Sequence, residues 1–121
     1  MHGWKSDYKT FKPLAQAYLA NPETADINIL VLDWSWIASN WVYHSVAESV
    51  PLLDDAVGEI LGQVMIKEMG VDLANIHGIG HSLGAHNAGH IGRKIAEVGE
   101  KGRIARVTGI VYFLACLSLF T

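Results

Sequence analysis

Ile76-His77-Gly78-Ile79-Gly80-His81-Ser82-Leu83-Gly84-Ala85-His86-Asn87-Ala88-Gly89 decides how this chain is read. Its centre, Gly80-His81-Ser82-Leu83-Gly84, is a G-x-S-x-G pentapeptide. Upstream, Val71 to Ile79 leads into a predicted strand. Downstream, Leu83 to Val98 has helical character, and Ala85, Ala88, Gly89, Gly92 and Ala96 lie on one face at offsets of three, four, seven and eleven. Small residues on one face let a helix approach a sheet closely. A serine between such a strand and such a helix sits on a tight, strained turn that pushes its Oγ out at the C-terminal edge of the sheet. Glycine is required at 80 and 84 because side chains there would meet the neighbouring strand and helix. The helix start beyond Ser82 offers free N–H groups and a positive dipole end, which suit a developing oxyanion.

Working outward, two more strands are predicted. Ile27-Asn28-Ile29-Leu30-Val31-Leu32 is a β-branched-rich run of the kind found in buried strands, and Ile104 to Leu114 is a third. Leu53, Val57, Ile60, Leu61, Val64 and Met65 recur at helical spacing, with Pro51 placed in a first turn, Ser49 as a cap and an end near Gly70. Asp54, Asp55 and Glu59 then fall early in that helix, where its dipole favours acids. Phe11 to Ala20 is a shorter helix with Pro13 near its start. Strands alternating with helices imply an α/β fold with a parallel sheet and helices on both faces.

Composition narrows the function. The 121 residues are 50% hydrophobic and 17% charged, which excludes a disordered chain. Nine basic residues against twelve acidic ones give a net charge of −3, so no basic surface for nucleic acid is expected. The single cysteine, Cys116, excludes a disulfide within the chain and a multi-cysteine metal site. Ile110 to Phe120 is the longest apolar stretch, and eleven residues fall short of the roughly 20 that span a bilayer. Met1 to Asp7 carries no signal-peptide pattern. Gly78-Ile79-Gly80 begins like a dinucleotide fingerprint, but Leu83 stands where the third glycine belongs. The strand Val107 to Val111 also lacks the acidic residue that binds a ribose. His86 and His90 share a helix face, but two histidines without a third ligand do not make a metal site. No metal and no cofactor are therefore expected. The four tryptophans, Trp4, Trp34, Trp36 and Trp41, cluster early. Trp34 reads as packing, whereas Trp36 and Trp41 fit either packing or a rim that touches lipid.

Four ordered blocks carry a resemblance. They are His2-Gly3-Trp4, Asn28 to Ser35, Ile76 to Gly89 and Arg106-Val107-Thr108-Gly109. Together they resemble the pancreatic lipase family, the animal lipases and phospholipases A1 of the α/β-hydrolase superfamily. The resemblance implies a partial α/β-hydrolase fold over residues 1–109, followed by a divergent apolar segment over 110–121. It implies that Ser82 is the nucleophile and that the N–H groups of Trp4 and Leu83 form the oxyanion hole. It further implies a fatty-acyl ester substrate, triacylglycerol or phospholipid, met at a lipid–water interface, and secretion to the extracellular space. The family follows Thr-Gly with Leu-Asp-Pro-Ala, whose Asp is the triad acid. Here Ile110-Val111-Tyr112-Phe113 follows, with Val111 in the acid's place. The triad acid and histidine are thus expected in no residue of this chain. Asp33 precedes Ser82, the wrong order for that acid, and reads as a structural hydrogen-bonding group. Without its partners the chain is expected to turn over little ester. The alternative is a non-catalytic, lipid-binding or yolk-protein-like member of the same fold.

Overall fold

The structure, a computed structural model, describes residues 1–24, 26–100 and 102–110. Its centre is the strand–turn–helix unit read from the sequence. Strand β1 spans His77–His81 and helix α4 spans Leu83–Val98. Strand β2, Arg106–Ile110, lies parallel to β1 with His77 opposite Arg106 and His81 opposite Ile110. The two form one parallel sheet, the expected geometry for a β–α–β unit. The part of the third predicted strand beyond Ile110, and with it Val111, Cys116 and most of the divergent 110–121 segment, lies outside the described residues.

The sequence at β1 explains which face the helix takes. Side chains alternate across a strand, so Gly78 and Gly80 turn the same way, toward α4. Gly78 lies over Ala88, and Gly80 crosses the backbone of Gly84. Ala88, Gly92 and Ala96 press on the sheet side, as expected. The opposite face carries His77 and Ile79. Phe11, Leu14 and Tyr18, with the 27–31 stretch, gather there around a groove of about 300 Å³. Of these, Leu14 and Tyr18 belong to α1, Lys12–Ala20, with Pro13 in its first turn, close to the predicted Phe11–Ala20. A short 3₁₀ turn, Tyr8–Phe11, precedes it, started by the Asp7 carboxylate accepting from Lys9 N.

The 27–32 run is a correction. It carries no strand assignment, and Ile27, Leu30 and Val31 are exposed rather than buried. A strand exists only where a neighbour supplies its hydrogen-bond ladder, and among the described residues none is paired with this run. Its β-branched composition sets a preference and not a pairing.

The helix predicted to begin at Pro51 is a second correction. It begins eight residues earlier: α3 spans Tyr43–Leu61, with Pro51 inside it. A π-type turn, Gly62–Glu68, continues it. It ends as predicted at Gly70, whose φ is +70° and where Val71 N donates to Met65 O. Proline usually breaks a helix by removing one N–H and crowding the carbonyl four residues back. Burial explains its toleration here. Val46 and Val50 flank Pro51 in a core with Trp34, Ala38 and Leu83. Ser49 is no cap, and its hydroxyl donates to Ser45 O (2.9 Å).

The inner line of α3 also differs from the apolar face read in the sequence. Buried positions run Val46, Val50, Asp54, Gly58 and Gly62, while Ile60 and Val64 are exposed. Close approach to α4 decides this. A Cβ on Gly58 would stand 2.5 Å from Lys94 Cβ, and one on Gly62 would stand 2.7 Å from Val98 Cβ. The helices therefore meet in steps of one turn, 58 against 94 and 62 against 98. One turn earlier the same register sets Asp54 against His90. The His90 Nδ1 lies 3.3 Å from Asp54 Oδ2. A second core lies beyond, where Ile91 and Ile95 of α4 meet Leu73 and Ile76.

Asp54 is therefore not an acid near a helix start. It is fully buried, as is Asn87 on the facing helix. Burial pushes the Asp54 carboxyl up to about 7, and the neighbouring Asp55 charge adds to this. The folded chain then holds a proton that the unfolded chain releases near pH 4. Stability from this group is full at low pH and is lost as pH rises toward 7. Urea unfolding should show stability falling between about pH 4 and 7, and Asp54→Asn should flatten that slope and stabilise the chain by on the order of 1–3 kcal/mol at pH 8. The elbow glycines give a second expectation. Gly84→Ala should destabilise by about 1–3 kcal/mol or more in the same assay, because its Cβ would stand 2.3 Å from His2 O.

Candidate active site

Ser82 lies between β1 and α4 with φ 55° and ψ −127°. A non-glycine residue in that region is strained by about 1–3 kcal/mol and persists only where its surroundings over-determine it. Three contacts do so here. Ser82 N donates to Ile110 O (2.7 Å), tying the turn to the end of β2. Ala85 N donates to Ser82 O (2.9 Å), starting α4. The third contact is the 1–4 segment, which passes directly over the serine.

That segment runs along the open edge of β1. Met1 N donates to Ile79 O (2.6 Å), and His81 N donates to Met1 O (3.0 Å), a pair of bonds with parallel-ladder geometry. His2 and Gly3 follow at the strand's end. A Cβ on Gly3 would stand 2.8 Å from Ser82 Cβ and 3.2 Å from Ser82 Oγ. The backbone carrying the Trp4 N–H is thus held within touching distance of the serine side chain. Leu83 is the first residue of α4, so its N–H belongs to the turn that has no intrahelical acceptor. Its side chain is buried in the core with Val46 and Val50. The structure therefore brings together all five residues singled out in the sequence: Trp4, Gly80, Ser82, Leu83 and Gly84.

Side chains that the sequence reading left in the background anchor this loop. His2 is fully buried and stacks on Trp34 with ring centroids 5.5 Å apart. The Trp34 indole donates to His2 O (2.9 Å), and Trp34 N donates to His2 Nε2 (3.2 Å). The Asp33 carboxylate lies 3.1 Å from the same ring nitrogen and accepts from Ser35 N (3.0 Å). Bonds from the Ser35 backbone and hydroxyl, with a smaller contribution from His2, hold the Asp33 carboxyl below the ordinary carboxylate range. The ring nitrogen that accepts from Trp34 N cannot also donate to this carboxylate, so the two Trp34 bonds hold His2 while Asp33 is fixed beside it by Ser35. Further on, the Trp4 indole donates to Asn40 O (2.8 Å) and meets Tyr43 edge to face at 5.1 Å. Lys5 N donates to Ala38 O (2.8 Å). The one sequence signal for this anchoring is that His2 and Asp33-Trp34 both fall in the blocks that carry the resemblance.

The remaining histidines sit in separate settings. His44 pairs with Glu48 on the exposed side of α3, His77 meets the Thr108 hydroxyl at 2.9 Å across the sheet, and His90 meets Asp54. Among the described residues no group of three His, Cys, Asp or Glu side chains is placed to hold a metal ion. Also among them, no helix is long and apolar enough to cross a membrane.

The chain is similar in sequence to known proteins. The family model for lipases matches residues 1–111. Mouse phospholipase A1 member A is 36% identical over 86 residues, which cover 71% of this chain and 17% of that protein. Rabbit pancreatic triacylglycerol lipase is 33% identical over 84 residues, 69% of this chain and 17% of that one. Phospholipase A1 of the wasp Vespa basalis is 30% identical over 116 residues, 90% of this chain and 38% of that one. The chain thus spans about a sixth of the length of the mammalian relatives it matches. With that match running through the serine turn, the loop that crosses it and the anchoring Asp33-Trp34 pair, the chain belongs to the lipase family.

Proposed function

We propose that this chain carries the nucleophile and the oxyanion-binding loop of a secreted hydrolase that cleaves fatty-acyl esters, triacylglycerol or phospholipid, at a lipid–water interface. The observation that carries this reading is the strained backbone of Ser82 with Gly3 against its Oγ. The crowding that forces this strain, of about 1–3 kcal/mol, is that of the tight strand-to-helix turn on which a nucleophile sits. In a nucleophile it aims the hydroxyl away from the sheet.

In this reading Ser82 Oγ attacks the ester carbonyl and gives its proton to a base. The N–H groups of Leu83 and Trp4 receive the developing oxyanion, one from a helix start and one from the loop held by His2. The tetrahedral intermediate expels the alcohol, and water then releases the fatty acid from Ser82. No metal or cofactor takes part. We assign neither the triad acid nor the triad histidine to the described residues. Asp33 is engaged by Ser35 and His2 and precedes the serine in the chain, against the order of this fold.

Labelling of the source tissue with a fluorophosphonate, followed by peptide mapping, should place the adduct on Ser82 within the 76–93 segment. An unlabelled Ser82 in a labelled extract would overturn the reading. The 121-residue chain by itself should hydrolyse a short-chain nitrophenyl ester no more than on the order of 10³–10⁴-fold faster than water does, the residue left by oxyanion stabilisation alone. Ser82→Ala should leave that small activity nearly unchanged, and a turnover typical of a complete lipase would contradict the assignment. His2→Ala should cost about 1–3 kcal/mol in urea unfolding, because it removes the acceptor of the buried Trp34 N–H and frees the loop over Ser82.

A further inference from the structure

Two of the four tryptophans are exposed, and they lie on one arm. Trp36 is 77% exposed in the short helix α2, Ser35–Ala38, and Trp41 is 82% exposed just beyond it. Val42 beside Trp41 is exposed as well. The contrast with Trp34 is sharp, since that ring is fully buried and its N–H is satisfied. The arm is rigidly placed. Lys5 N and the Trp4 indole N–H both donate to it, at Ala38 O and Asn40 O, and Val42 N donates to Asn40 Oδ1 (2.9 Å). The arm that bears both exposed indoles is therefore held by its backbone against Trp4 and Lys5, beside the loop that crosses Ser82.

A cation stands among them. The Lys5 ammonium lies 3.5 Å from the Trp41 ring centroid and 4.9 Å from that of Trp4. Ring faces attract the cation and hold it at the surface. Next to it opens a shallow recess of about 560 Å³, lined by Lys5, Ser6, Thr10, Ser35, Ser39 and Trp41. Asp7 also borders the recess, and its carboxylate accepts from Lys9 N (2.9 Å). The surface thus combines apolar rings and one ammonium with the Ser39 hydroxyl and the mutually bonded Ser6 and Thr10 hydroxyls, while the Ser35 hydroxyl is held by Asp33. Indoles favour the zone between water and hydrocarbon, where one end is apolar and the other wet. Ammonium and hydroxyl groups suit phosphate oxygens.

We propose that Trp36, Trp41 and Lys5, with the adjoining recess, form a docking surface for a phospholipid bilayer. The indoles enter the headgroup layer, and Lys5 and the recess hydroxyls meet lipid phosphate. The inference deepens the proposed function, since it places the lipid surface beside the proposed oxyanion loop, and it rests on that reading for its purpose.

The test is partitioning of the chain onto vesicles of ether-linked phosphatidylcholine, with and without ether-linked phosphatidylglycerol. These lipids contain no cleavable ester, so binding is read apart from hydrolysis, and a failure here leaves the assignment of Ser82 standing. Trp36→Ser and Trp41→Ser should each weaken partitioning about tenfold, while unfolding stays near that of the parent because both rings are exposed. Lys5→Gln should weaken it about fivefold on the phosphatidylglycerol vesicles and less on phosphatidylcholine alone. Bromine-labelled alkyl chains in the same ether lipids should quench fluorescence in the parent and much less in the Trp36→Phe/Trp41→Phe variant. Undiminished partitioning in the tryptophan variants would overturn the proposal. So would equal binding to a triolein emulsion free of phospholipid.

Discussion

The contact on which this structure depends is a crossing of three backbones with no room for side chains. Residues 1–3 pass over the start of α4, and α4 passes over the end of β1. A Cβ at Gly80 would stand 2.0 Å from Gly84 O, and one at Gly84 would stand 2.3 Å from His2 O. Removing the side chains lets the strand, the helix and the edge segment meet at one point. Ser82 lies at that point and has no relaxed conformation to adopt. Its positive φ results from this crowding, and the bonds to Ile110 and Ala85 hold it there. The edge segment in turn depends on a buried histidine. His2 stacks on Trp34 and meets Asp33, so the loop over the serine is referenced to the start of α2. The strained turn at Ser82 thus follows from packing on both sides of one residue.

Away from this centre the fold holds a second, less settled contact. Helices α3 and α4 approach closely at Gly58 and Gly62, as ridge packing with small residues allows. One turn further, the same register buries Asp54 and Asn87. A buried carboxyl without full compensation keeps its proton, which is why Asp54 shifts upward. The close approach stabilises the helix pair through packing, and the carboxyl makes that stability depend on pH.

Much of the centre was legible in the sequence. The span Leu83–Val98 was readable because the elbow glycines, the small inner face and the closing glycines all agree locally. The parallel pairing of β1 with β2 followed from strand–helix–strand order. The serine turn and its crossing loop were legible because they rest on residue types that no other residue replaces, glycine above all. The roles proposed for Trp4 and Leu83 rest on resemblance. What the structure adds is that the segment bearing Trp4 touches Ser82.

The rest was decided by tertiary structure. Ile27 to Leu32 has strand composition, yet a strand needs a partner, and partners are set by the whole fold. Pro51 reads as a helix start because its local cost is high, yet burial of Val46 and Val50 against Trp34 and Leu83 carries the helix through it. Asp54 reads as an acid near a helix start, favoured by the dipole, yet the close approach of two helices at Gly58 and Gly62 leaves it buried. The sequence by itself determined the strand–turn–helix unit and the strained serine at its turn, since steric exclusion at adjacent residues is a local property. The lack of a partner for the 27–32 run, the buried face of α3 and the burial of Asp54 waited for tertiary structure, since each is settled by atoms distant in the chain.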